Sequence, residues 1–172
     1  MTDWLIIPQM IARIRHTALA SLLIVLITAA CGNQAQQYFD EAEKFYASGQ
    51  YQYAIDKLNE VIRLDPQHVN AYNMRGISYY ELGQYETAIQ DFTESIRLDL
   101  QHTKAYNNRG VAYYFLGHYD KAIQDYSEAI RLDPQHAKSY YGRSLAYRKL
   151  GQDVKAYDDY KRACELNSNL CE

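Results

Sequence analysis

His68, His102 and His136 are the side chains most easily mistaken for a metal site, and they recur every 34 residues in a chain of 172. Equivalent residues of packed helical units stand about 8–10 Å apart, whereas zinc ligands stand about 2.0–2.3 Å from one shared ion. The spacing makes them turn residues, not ligands. No Gly-rich phosphate loop, Ser/His/Asp grouping or spaced ligand motif appears, and the carboxylates recur with the same period instead of forming one matched acid and base. The sequence points away from an enzyme and implies no metal and no cofactor. The three cysteines are Cys31, Cys164 and Cys171. In one straight helix the last two would lie seven rises of about 1.5 Å apart, beyond the Cα limit near 7 Å for a disulfide. The "NSN" at 167–169 offers a helix end that folds the tail back. An internal disulfide, free thiols and an intermolecular bridge all stay open.

The period of the histidines belongs to the whole chain. "AYNMRGISYYELGQYETAIQDFTESIRLD" begins at Ala71 and "AYNNRGVAYYFLGHYDKAIQDYSEAIRLD" at Ala105. The same frame gives four units without insertion or deletion: 35–68, 69–102, 103–136 and 137–170. Each reads as two helical stretches joined by a turn at Gly49, Gly83, Gly117 or Gly151, where a helix C-terminus favours a residue that tolerates left-handed dihedrals. Pro66 and Pro134 are expected to stop the second helix. Leu100 and Ser168 stand in their place elsewhere, so the fourth helix pair is expected to end less crisply.

Period and residues together resemble the tetratricopeptide repeat, over about four fifths of the chain. The resemblance is carried by Tyr38, Tyr72, Tyr106 and Tyr140 at the fourth place, and by the small residues Ala42, Gly76, Gly110 and Ser144 at the eighth. It continues in Phe45, Tyr79, Tyr113 and Tyr147, and in Ala54, Ala88, Ala122 and Ala156 of the second helix, with Leu58, Phe92, Tyr126 and Tyr160 completing the core stripe. It implies an all-α, right-handed α-solenoid of four helix-turn-helix units. Where the family most often has leucine stand Arg75, Arg109 and Arg143, each sixteen residues before Asp91, Asp125 or Asp159. The first unit holds Glu41 and Lys57 there, so the sign reverses as a pair. That reversal predicts four ion pairs across the helix hairpins.

The only long apolar run, "HTALASLLIVLITAACG", has fourteen uncharged residues from Thr17 to Ala30. A bilayer-spanning helix needs about 20. Arg13 and Arg15, the apolar centre and Ala29–Ala30 match the zones of a secretory signal, and Met10 would give a more compact start. "ITAAC" resembles the lipobox of bacterial lipoproteins, with Thr28 a departure from the usual Leu or Val. The resemblance implies a signal peptide over 1–30 and a lipidated Cys31, multiply acylated and firmly membrane-bound, followed by a polar tether to residue 37. Gly32, not aspartate, then favours the outer membrane at its periplasmic face.

A formal charge of −3 without a basic stripe excludes nucleic acid as the natural partner. Tyrosine is in surplus, 18 against 4 phenylalanines, which favours half-buried amphipathic surfaces. By resemblance to the family, the first helices line a concave groove. It would assemble Phe39, Asn73, Asn107 and Tyr141; Met74 and Asn108; Ile77, Val111 and Leu145; and Tyr46, Tyr80 and Tyr114. Lys104 and Lys138 edge it, with Arg148 and Lys149 at one end and Asp40 and Glu43 at the other. Asparagine amides suit a peptide backbone and tyrosines offer rigid contact area. Of the family's carboxylate clamp only Asn108 and Lys138 fit. The expected function is an envelope scaffold that binds a peptide or protein segment; the alternative is a structural subunit that self-associates or packs into a fixed complex. The final helix lacks a capping helix, which favours a homo-oligomer or a docked partner.

Overall fold

The computed structural model describes residues 33–170. The signal peptide over 1–30, the start at Met10, lipidation of Cys31 and the fate of Cys171 lie outside the described residues. Helix α1 covers residues 33–47. It is followed by α2 (Tyr51–Leu64), α3 (Val69–Glu81), α4 (Tyr85–Leu98), α5 (Thr103–Phe115), α6 (Tyr119–Leu132), α7 (Ala137–Lys149) and α8 (Asp153–Leu166). A 3-10 turn, Ser168–Leu170, closes the order, and there is no strand among the described residues. Helices pack as consecutive antiparallel pairs, each second helix also meeting the first helix of the next unit, and α5 touches both α3 and α7. This is the expected all-helical solenoid. The tether is not: residues 33–37 are helical and Ala35 is 4% exposed, packed with Ala42, Leu58 and Val61. Gln36 and Gln37 extend the helix by bonding to Asp40 and Glu41 one turn on.

Inner turns follow from glycine. Gly117 sits at φ +77°, its N–H donating to Tyr114 O and that of His118 to Tyr113 O, the Schellman pattern. Nothing lies within 4 Å of where a Cβ would stand on Gly117, so the backbone demands glycine, not the space. Outer turns do not depend on proline. α8 ends at Leu166 in the same register as α2, α4 and α6, although Ser168 stands where Pro66 and Pro134 do. Asp65, Asp99, Asp133 and Asn167 each accept a bond from the backbone N–H two residues on, at 2.9–3.1 Å. An Asx turn, present in all four units, therefore stops the second helix.

The histidines bond at these turns, His68 and His136 across the junction of two units and His102 within its own. His68 Nδ1 accepts from Ala71 N–H at the start of α3, while His102 and His136 meet the hydroxyls of Ser95 and Ser139 at 2.9 and 2.8 Å.

Close approach within a unit is graded to the side chain it must admit. Ala42 faces Leu58 in the first unit, but a Cβ on Gly76 would come within 2.7 Å of the Phe92 ring and one on Gly110 within 2.9 Å of Tyr126. The four expected ion pairs form. Lys57 meets Glu41 at 2.6 Å, with both side chains about a third exposed. Each arginine grips its aspartate with two bonds, as in Arg109 Nε to Asp125 Oδ2 at 2.8 Å and Nη2 to Oδ1 at 2.7 Å, and lies over the tyrosine three residues before it. The hydrogen bonds to Asp159 hold the Arg143 guanidinium above its ordinary pKa despite burial. A third contact was not expected. Arg75, Arg109 and Arg143 reach back through Nη1 to Asn59, Thr93 and Ser127 of the preceding unit, so each pair joins units as well as helices.

Cys164, on α8, is disulfide-bonded.

Candidate binding groove

One face of the array is a run of hollows floored largely by α3, α5 and α7. From α1 onward the first, of about 530 Å³, is lined by Phe39, Glu43, Asn70, Asn73, Met74, Ile77, His102 and Lys104. Beside it lie hollows of about 300 Å³ at Asn73, Asn107, Asn108 and Lys138 and about 250 Å³ at Tyr46, Tyr80, Val111 and Phe92. A fourth, of about 330 Å³, is lined by Tyr114, Phe115, Tyr126, Tyr141, Gly142, Leu145 and Leu170. The structure thus brings all twelve expected groove residues onto this connected surface, with Leu145 and Lys104 beside them.

Their roles are unequal. Asn73 and Asn107 are 9% and 8% exposed and are mostly committed to a ladder of side-chain bonds. Asn108 Nδ2 donates to Asn73 Oδ1 at 3.1 Å, Asn107 Nδ2 to Asn108 Oδ1 at 3.4 Å, and Ser139 Oγ to Asn107 Oδ1 at 3.1 Å. That ladder holds α3, α5 and α7 in register beneath the groove. The tyrosines also support one another: Tyr80 packs at 5.4 Å on Tyr85 and at 5.6 Å on Phe115 of the next unit, and Tyr114 on Tyr119. Burial, and then the neighbouring Tyr85, raise the Tyr80 phenol pKa, so it stays neutral and able to donate. Glu43 and Glu81 line the hollows nearest α1, Lys104 lines the first hollow opposite Glu43 and the one beside it, and Lys138 stands toward α7, none of the four in an ion pair among the described residues. Acidic side chains line only the α1 end, while lysines stand at both. Arg148 and Lys149, expected at one end, line none of these hollows.

Phe115, Tyr126, Gly142 and Leu170 also line the groove, although none of them is among the expected residues. Phe115 stands at the thirteenth place, which faces the groove, and was legible. Tyr126 was assigned to the core alone. Gly142 carried a signal: it stands where Asp40, Met74 and Asn108 stand in the other units.

Sequence models of the tetratricopeptide repeat match residues 42–83, 76–117, 103–136 and 137–170, nearly the whole of the helical array. The chain is a tetratricopeptide repeat protein. No protein of curated function matches it. Among solved structures, the crystal structure of MamA superposes with a TM-score of 0.75 at 25% identity, over 83% of this chain and 84% of that one. The second repeat domain of human RPAP3, solved with the HSP70 peptide SGPTIEEVD, gives 0.66 at 29% identity, over 67% of this chain and 97% of that domain. The repeat domain of Arabidopsis OM64 gives 0.66 at 25% identity over 67% and 96%. The repeat explains why no helix among the described residues is long and apolar enough to cross a membrane: each is a short amphipathic half of a pair.

Proposed function

We propose that this tetratricopeptide repeat protein is a non-enzymatic scaffold that binds an extended peptide or protein segment in the groove, tethered to the bacterial cell envelope by lipid on Cys31. The observation that carries the first half is the connected run of hollows along α3, α5 and α7, lined by aromatic and amide side chains with lysines at its edge. A repeat domain of similar fold was solved with a bound peptide, which supports the same use here. The tether rests on the lipobox-like "ITAAC", with the periplasmic face of the outer membrane as the favoured location.

Lys104→Glu/Lys138→Glu tests the groove while leaving the asparagine ladder and the packed tyrosines in place. Photocrosslinked partners should be lost from envelope membranes with helicity and oligomeric state unchanged; their retention removes the groove reading. Cys31→Ala should release the protein from membranes, and mass spectrometry of the wild type should find no peptide preceding Cys31.

A structural subunit is the second reading. Tyr157 is 66% exposed at the place where Ile55 is buried, and Val154 is 77% exposed, so α8 leaves an apolar face uncovered. Loss of assembly in Tyr157→Glu with peptide binding intact would favour it.

A further inference from the structure

The hollow between α5, α6 and α7 holds a hydroxyl that the fold does not use. Tyr126 is 2% exposed, and its ring is clamped between Gly110 and Gly142. A Cβ on Gly142 would fall 2.5 Å from Cζ and 2.9 Å from the hydroxyl oxygen. No side chain or backbone group bonds to that oxygen among the described residues, and it is not sealed off: it opens onto the hollow of about 330 Å³ that Tyr126 and Gly142 both line, where solvent reaches it. A ligand that fills the hollow removes that solvent, so the hydroxyl then needs a partner from the ligand; burial of the ring raises its pKa, so it is neutral and can donate.

The preceding unit supplies the control. There the same place is Phe92, and the residue that stands where Gly142 does is Asn108. Gaining the hydroxyl coincides with losing the side chain that would cover it. A core position needs neither change, since phenylalanine fills it in the unit before. The surroundings fit a long, mostly apolar occupant: Val111, Tyr114 and Leu145 form walls, and Lys138 stands at the rim, in no ion pair among the described residues.

Resting on the groove reading above, we propose that this hollow is the groove's selective pocket. It takes from an extended peptide one side chain with an apolar body and a hydrogen-bond acceptor at its tip, bonded by the Tyr126 hydroxyl, beside an acidic residue that meets Lys138. Glutamine, tyrosine and threonine share that chemistry. A purely aliphatic side chain would leave the hydroxyl unpaired, and specificity arises from that loss.

The test uses the full chain and a random dodecapeptide phage library. Selected peptides, made synthetically, are titrated by fluorescence polarisation against wild type and Tyr126→Phe, a change the Phe92 unit already accommodates. Peptides should share one acceptor-tipped residue near an acidic one and bind Tyr126→Phe about tenfold more weakly. Replacing the tip in the peptide (Gln by Leu, Tyr by Phe or Thr by Val) should cost a similar factor on wild type and nothing further on Tyr126→Phe. Lys138→Gln should weaken binding and flatten its salt dependence. Equal affinity for wild type and Tyr126→Phe, with binding still lost in Lys104→Glu/Lys138→Glu, overturns the pocket and leaves the groove standing. No selected peptide, or peptides indifferent to that double variant, overturns both.

Discussion

Arg109 and Asp125 are 17% and 8% exposed as side chains, so their pair is neither a surface bridge of negligible worth nor a dry internal one. Arg109→Leu should destabilise the array by about 3 kcal/mol, because it leaves a carboxylate without its partner, while Arg109→Leu/Asp125→Leu should return to within about 1 kcal/mol of wild type. Urea unfolding of both variants measures the difference. The partners were readable in the sequence because the first unit inverts both signs at once. The reach of Nη1 to Asn59, Thr93 and Ser127 was not, since an amide and two hydroxyls share no chemical type that a repeat would display. The histidines set a pH dependence. Burial holds His102 and His136 below the ordinary 6.5 in the folded chain. The unfolded chain then binds more protons, so the contribution is complete above 6.5 and is lost as pH falls through the lowered folded value. The thermal midpoint should fall between about pH 7.5 and about pH 5.5, and less so in His102→Asn/His136→Asn, which removes the titration and puts at each helix start a residue favoured there.

Two glycines of one helix hairpin are needed for different reasons, and substitution separates them. Gly117→Ala should cost about 1 kcal/mol through its left-handed backbone, with Gly117→Asn cheaper because asparagine tolerates that region. Gly110→Ala should cost about 1–3 kcal/mol through collision with a ring that Gly142 prevents from moving aside. Calorimetric midpoints distinguish the cases. Helix existence, length and inner turns were legible because glycine and alanine recur at fixed places. The helix stop was assigned to Pro66 and Pro134, yet the Asx turns act in all four units; proline is the louder signal and aspartate, common everywhere, the quieter one. Residues 33–37 looked like a linker because glutamine marks neither helix nor turn, and only Ala35 packing on Leu58 decides it. In the groove, the resemblance to the repeat family named twelve residues that the structure sets along the hollows, but it did not show their commitments. An asparagine free to meet a ligand and one bonded to another asparagine read alike.

At the scale of the molecule the two ends differ. Ala71, Ala105 and Ser139, with Ser78, Ala112 and Ala146, are the small residues that let each unit settle on the one before. The first unit has Gln37 and Lys44 at those places, so α1 presents a polar end that cannot seat on a preceding unit, while α8 leaves Tyr157 and Val154 open. Association in solution should therefore be tail to tail and closed: light scattering at high concentration should find nothing larger than a dimer, and a ladder of higher species would contradict this. The arginine contact that reaches backwards also bears on how such a chain can lengthen. In the fourth unit the place of Asn59, Thr93 and Ser127 is taken by Lys161. A duplicated copy of residues 103–136 spliced between the second and third units would find an oxygen acceptor on each side. The same copy appended after residue 170 would set its arginine against a lysine, so this array can grow from within but not from its tip.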